Sequence, residues 1–345
     1  MTGGERASAP GPARSETVLA AAVQLDARIA DVDHNLRRCE ELADDAGARG
    51  ARIIALPEFF TTGIAFEPAL SHAALPPGGS ATALLQRLAV RHHALVGGSF
   101  LCRDDDGEVR NAYFLAGPDG ALLGRHDKDL PTMWENSFYI GGGDPGLIGL
   151  PPDAFGGMSA APTAGAAVCW ELMRTGTARR LRGRVDLMMT GSGWWTVPQW
   201  RPRGLFERWE ARNEATARRA AADFSRYVGA PLVHAAHCGP VDCRMPWTPL
   251  RYRGRLEGAT LIADSHGHVL AERTRDEGPG VVTAPITVGR TRPGESLPRR
   301  YWLHRRGPLP TAAWHYQRAH GRGYYAAHTR TPAEEDREWP RTAVR

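Results

Sequence analysis

Short apolar runs and amphipathic helical stretches alternate along this chain from Val18 to Glu272. A chain so patterned can bury its apolar faces in few ways other than by laying helices on sheets. Residues 18–25 (VLAAAVQL) predict a strand, and Asp33 offers an N-cap to a helix that carries Leu36 and Leu42 inward and closes near 47–50. Residues 53–56 predict a short buried strand stopped by Pro57, 81–93 a second helix and 94–101 a strand. The turn Pro118-Asp119-Gly120 makes a hairpin of 111–116 and 121–124. After a loop-like stretch over 141–163, residues 164–169 and 186–190 predict strands on either side of a short basic helix at 177–184. The longest helical stretch, 204–228, ends at Gly229, and further strands follow at 231–236, 259–264 and 269–272. The predicted class is α/β, with helices covering sheets and no fixed-period repeat.

Hydrophobic residues make up 42% of the 345 and charged residues 23%, which excludes a disordered or fibrous chain. No apolar run reaches the roughly 18–20 residues of a membrane span, so no membrane partner is expected. The polar start, MTGGERASAPGPARSE, is not a secretory signal and reads as a disordered leader over 1–16. Five cysteines (39, 102, 169, 238 and 243), odd in number and sparse, argue for a reducing cytoplasm rather than a disulfide framework. Residues 17–288 form the expected main domain. The segment 289–345 differs: it holds 12 Arg against 5 acidic groups, interleaved with Tyr301, Trp302, Trp314, Tyr316, Tyr324 and Tyr325. Without a recognisable nucleic-acid-binding motif this reads as an irregular arm that packs its aromatics on its own body or on a partner subunit, not as a nucleic-acid site.

The 43 basic residues conceal a sharper signal, since 42 are Arg and only one, at position 128, is Lys. A composition that replaces Lys by Arg wherever a positive charge suffices has kept one compact ammonium whose proton can be tuned. That lysine follows the strand at 121–124, Glu58 follows the strand at 53–56, and Cys169 closes the strand at 164–169. In α/β sheets, sites form where the chain leaves the carboxyl ends of strands. A carboxylate, an ammonium and a thiol at three such ends make a nucleophile constellation. The carboxylate takes the thiol proton and passes it to a departing amine, the cation supports a thiolate, and the ammonium with the N–H beside Cys169 meets the charge that develops on the attacked atom.

Glu58 in LPEFFTTG, Lys128 in KDLPTMWE and Cys169 in CWE, spaced by 70 and 41 residues, resemble the Glu-Lys-Cys triad of the carbon–nitrogen hydrolase (nitrilase) superfamily. The resemblance runs from Val18 to about Thr287. KDLPTMWE and CWE are similar to true nitrilases, whereas LPEFFTTG looks more like amidases acting on ω-amide acids. Two positions depart from the pattern: Asn136 stands where nitrilases usually carry Arg, and Asp223-Phe224 where the long helix usually carries Glu-Asn. The resemblance implies a four-layer αββα sandwich paired through helices into dimers or longer spirals, with no metal and no organic cofactor. It implies a thioester mechanism on an amide or nitrile, with Glu58 as general base and acid, and Lys128 and the Trp170 N–H holding the oxyanion. Glu135 is a second carboxylate beside substrate or Lys128, a position Glu171 could take instead. An amide-forming acyl transferase on the same fold, and a catalytically idle scaffold working through the basic arm, are the alternatives.

Trp194 and Trp195 are candidates for a pocket wall, with core packing an equal reading. His234, His237, Cys238 and Cys243 have zinc-type ligands at no standard spacing. His234 and His237 face opposite ways on a strand, so the expected role of His237 or Cys238 is to flank the pocket and touch substrate.

Overall fold

A computed structural model describes residues 16–155, 161–305 and 308–331. Strand β1 (Glu16–Leu25) is followed by helix α1 (Val32–Ala48), β2 (Ile53–Ala55), α2 (Ser80–His92), β3 (Leu95–Arg103), β4 (Val109–Ala116) and β5 (Leu122–Asp127). The second half contributes β6 (Leu147–Gly149), β7 (Thr163–Val168), α3 (Thr175–Leu181), β8 (Leu187–Ser192), α4 (Arg203–Val228) and β9 (Leu232–His237). A small hairpin, β10 (Pro240–Arg244) and β11 (Arg251–Arg255), precedes β12 (Gly258–Ala263), β13 (Val269–Thr274), β14 (Gly280–Val288) and α5 (Pro308–Tyr324).

The strands lie in two six-stranded halves. One runs β14-β1-β2-β3-β4-β5 and the other β13-β12-β9-β8-β7-β6. They join where the end of β1 meets the end of β9, with Gln24 opposite Ala236 and Leu25 opposite His237. The alternation of side chains along each strand divides the core into three layers. Ala20, Ala22 and Ile53 of the first half face Ala166, Leu187 and Val233 of the second. On the outer side of the first half, Ala21, Ile54 and Val96 pack against Cys39 and Leu42 of α1 and Leu85 and Leu88 of α2. On the outer side of the second, Ala167, Met188 and Leu232 pack against Leu181 of α3 and Phe224 and Val228 of α4. The result is the expected αββα sandwich, in which both faces of each half are covered. That explains why its strands read as continuous apolar runs.

Several local expectations need correction. Asp31, not Asp33, caps α1, its carboxylate accepting from the His34 N–H at 3.2 Å. The loop expected over 141–163 includes β6, paired antiparallel to β7. The strand expected to end at 124 continues to Asp127, so Lys128 follows it directly. Strand β14 carries Pro285 inside VVTAPITV, which weakens its strand signal. It pairs only with β1, and an edge strand tolerates the missing N–H. The arm is helical at its centre: α5 packs on its own chain, with Trp314 buried and donating from its indole to the Pro131 carbonyl at 3.2 Å. Of the expected leader, only Glu16 lies within the described residues.

Candidate active site

The three residues marked by their strand ends converge. Glu58 lies just beyond β2, Lys128 just beyond β5, and Cys169 opens a 3-10 turn (Cys169–Met173) directly after β7. All three are buried. Lys128 Nζ donates to Glu58 Oε1 at 2.8 Å and to Glu135 Oε2 at 2.7 Å. Phe59, Met133 and Cys169 hold positive φ (54°, 50° and 53°), a conformation disfavoured for residues with a side chain. Such strain tends to gather at functional sites, and here it lies next to Glu58, on the loop of Glu135 and at the thiol.

Partners that local sequence patterns did not disclose complete the cluster. Asn111 of β4 donates to Glu58 Oε1 at 2.8 Å, and the Gly193 N–H, just past β8, donates to Glu58 Oε2 at 2.8 Å. Glu135 Oε2 accepts from the Thr132 N–H at 2.9 Å and from the Tyr139 hydroxyl. A Gly191 Cβ would lie 2.6 Å from the Glu58 backbone nitrogen, so β8 can approach the glutamate loop only without a side chain there. Gly191→Ala is therefore expected to cost about 1–3 kcal/mol by overpacking and to displace Glu58. Chemical denaturation measures the first effect and a turnover assay the second; an alanine variant of unchanged stability would contradict this packing.

Burial first, and then the negative charge of Glu58, push the Cys169 thiol well above its ordinary value, with Lys128 opposing. The resting sulfur is thus a thiol, not the ready thiolate that a neighbouring cation alone suggests. Burial works against the Lys128 ammonium, but Glu135 and Glu58 outweigh it and hold its pKa well above normal. Burial lifts Glu135 to about 7 against the pull of Lys128.

Glu171 does not serve as the second carboxylate on Lys128. It accepts the Val168 N–H at 2.8 Å and pairs with His126 Nε2 at 2.8 Å, bracing the turn from beneath. His126 Nδ1 reaches Asp144 at 2.6 Å. Burial would lower His126, but Glu171 and Asp144 raise it to about 10; burial would raise Glu171, but His126 and Arg180 bring it to about 2. The raised imidazolium contributes stability that is complete below its unfolded pKa of about 6.5 and is lost as pH climbs through about 10. The depressed Glu171 contributes above 4.5 and loses its share as pH falls through about 2. Denaturation midpoints should therefore decline from pH 6.5 to 10, and Asp144→Asn should bring that decline to lower pH. An unmoved alkaline limb in the variant would contradict the assignment.

His234 and His237 stand apart in role. His234 bonds Thr190 Oγ1 at 2.8 Å and Ser192 Oγ at 3.0 Å. His237 is buried and donates from Nε2 to the Glu58 carbonyl at 2.5 Å, which orients the glutamate loop; it does not line the cavity on Cys169. Cys238 is buried, its N–H bonded to the Leu25 carbonyl. Among the described residues no group of three or more His, Cys, Asp or Glu could hold a metal ion.

A cavity of about 490 Å³ opens onto Cys169, and Trp134, Trp170, Trp194 and Trp195 line it. Trp194 is also core, packed with Met173, Ala217 and Ala220, and its indole donates to Asn213 Oδ1 at 3.0 Å. Trp195 stacks on Trp134 at 4.4 Å. The arm supplies a wall that its sequence did not disclose, since Ala313, Tyr316 and Gln317 of α5 face the same cavity. Helix α5 comes close because Gly321 abuts Asn136, where an added Cβ would lie 2.7 Å from the Asn136 Cβ.

The chain superposes on an amidase from a Nesterenkonia species with a TM-score of 0.61 at 18% identity, covering 79% of this chain and 92% of that one. It matches a carbon–nitrogen hydrolase superfamily protein from Xanthomonas campestris with a TM-score of 0.60 at 20% identity, covering 78% and 90%. The carbon–nitrogen hydrolase family model matches residues 19–294, and the chain belongs to that family. Among curated relatives, the ω-amidase YafV of Yersinia enterocolitica is 40% identical over 32% of this chain and 42% of its own length. The ω-amidase NIT2 of Xenopus tropicalis is 36% identical over 27% and 34%. A nitrilase of Pyrococcus abyssi is 28% identical over 48% and 60%. The match thus spans between 34% and 60% of these relatives' own length. No helix among the described residues is long and apolar enough to cross a membrane.

Proposed function

We propose that this chain is a cysteine-dependent hydrolase that cleaves a non-peptide carbon–nitrogen bond, in an amide or a nitrile, through a thioester on Cys169. The observation that carries this reading is the ion pair of Glu58 with Lys128 at 2.8 Å, buried beside the thiol where the cavity ends. Because the thiol rests protonated, attack and proton transfer run together: Glu58 accepts the Sγ proton as sulfur bonds to the substrate carbon. For an amide, the oxygen takes the negative charge, met by the Lys128 ammonium and the Trp170 backbone N–H. Glu58 returns its proton to the nitrogen as the C–N bond breaks and ammonia or an amine leaves. Water, deprotonated by the same Glu58, then opens the thioester, and the proton goes back to sulfur. A nitrile first adds one water to its thioimidate before ammonia departs. Glu135 accepts from Lys128 as Glu58 does, fixing the ammonium by two carboxylates.

Five unpaired cysteines support a reducing, cytoplasmic setting, and a homodimer is the proposed working form, testable by light scattering. The functional test is an ammonia-release screen of amides, nitriles and carbamoyl compounds, with the acyl adduct trapped and located by mass spectrometry. Expected is an adduct on Cys169; one on Cys39, Cys102, Cys238 or Cys243 would overturn the assignment.

A further inference from the structure

The cavity on Cys169 has no charged side chain in its wall among the described residues, although the chain contains 42 Arg. Six of its ten tryptophans line it: Trp134, Trp170, Trp194, Trp195, Trp200 and Trp209. An adjacent cleft of about 590 Å³ offers the contrast. It is lined by Arg203, Glu207, Glu210, Glu214, Arg255 and Arg275, and neither Glu58, Lys128 nor Cys169 reaches it. Cations were therefore available nearby and are kept out of the reactive cavity.

We infer that the site selects neutral substrates whose carbon–nitrogen group is carried on an arene-sized apolar body, and that Tyr316 and Gln317 of α5 form the wall on which that body rests. The inference takes the hydrolase reading as its base and names the substrate class. A carboxylate on the substrate would be stripped of water against indole surfaces with no cation to receive it, because Lys128 is already held by Glu58 and Glu135. A cationic substrate fares little better. The wall holds no carboxylate, and two of its indoles are turned to each other: Trp134 stacks on Trp195 at 4.4 Å and meets Tyr252 edge-on at 5.4 Å. A volume of about 490 Å³ falls in the range of roughly 300–1,000 Å³ that takes drug-sized ligands. A short ω-amide would leave much of this apolar wall wet.

The test compares two amides on the same three-carbon chain, 4-phenylbutanamide and glutaramate, by calorimetric binding to full-length Cys169→Ala protein. The phenyl compound is expected to bind at least about 100-fold more tightly, about 2.7 kcal/mol at 1.36 kcal/mol per tenfold. Gln317→Arg, added to that protein, should narrow the difference at least about tenfold, and Tyr316→Ala should weaken the phenyl compound alone. Equal binding of both amides, tighter binding of glutaramate, or binding of neither overturns the inference. Indifference of both affinities to the two α5 substitutions overturns the assignment of the wall. Turnover by the unsubstituted chain is scored separately. Tight binding of the phenyl compound with no ammonia from any amide or nitrile would sink the hydrolase reading and leave the selectivity standing.

Discussion

Replacing Cys169 by alanine is expected to reduce ammonia release to background, a loss of at least about 10⁴-fold in kcat, while leaving the thermal midpoint within a few degrees. Loss of a covalent nucleophile removes the reaction path itself, and losses of about this size or larger follow removal of the nucleophile in other covalent hydrolases. Stability should be little affected, because the thiol is small and its neighbours Glu58 and Lys128 remain paired at 2.8 Å. Cys169→Ser separates chemistry from shape: the hydroxyl keeps the volume and a hydrogen bond to Glu58 but is a far poorer nucleophile, so it should be nearly as inactive. Retention of more than about one hundredth of the activity by the alanine variant would show that the sulfur is not the attacking atom.

Lys128→Met should affect both activity and stability. The ammonium separates two buried carboxylates, at 2.8 Å from Glu58 and 2.7 Å from Glu135. Breaking a buried ion pair by removing one partner costs about 3–5 kcal/mol, because the other partner remains buried and unpaired. Removing the group that meets the developing negative charge should lower kcat by at least about 10³-fold. Lys128→Arg is expected not to rescue: the planar fork is larger than the space between the two carboxylates and cannot present one nitrogen to both. The double variant Lys128→Met/Glu135→Gln should recover much of the stability and none of the activity, which distinguishes a structural cation from a working one. Denaturant unfolding and initial rates together check this; an active Lys128→Arg protein would contradict it.

The three candidate residues were legible because each stands near a strand's carboxyl end, a place that short-range patterns locate. Glu58 after IIALP, Cys169 after GAAV and the chain's sole Lys after LLGRHD could be picked out one by one. Glu135 was readable from the motif KDLPTMWE, but only the fold separated it from Glu171, which is drawn beneath the turn by His126 and the Val168 N–H. Asn111, Tyr139 and the Gly193 N–H were not readable. Asn111 lies 53 positions and Gly193 135 positions from Glu58, and an Asn in a strand or a Gly in a loop carries no mark of its distant partner.

Taken alone, the amino-acid order determined the α/β class and singled out the three residues proposed to react, because side-chain periodicity and strand ends are local properties of the chain. It did not determine the protonation of the thiol, which depends on how completely water is excluded and on which charges lie closest. Nor did it determine the cavity. Tryptophans from separate loops and a helix more than 140 positions beyond the cysteine form one uncharged wall there, an arrangement that exists only once the arm has folded back over the Glu135 loop.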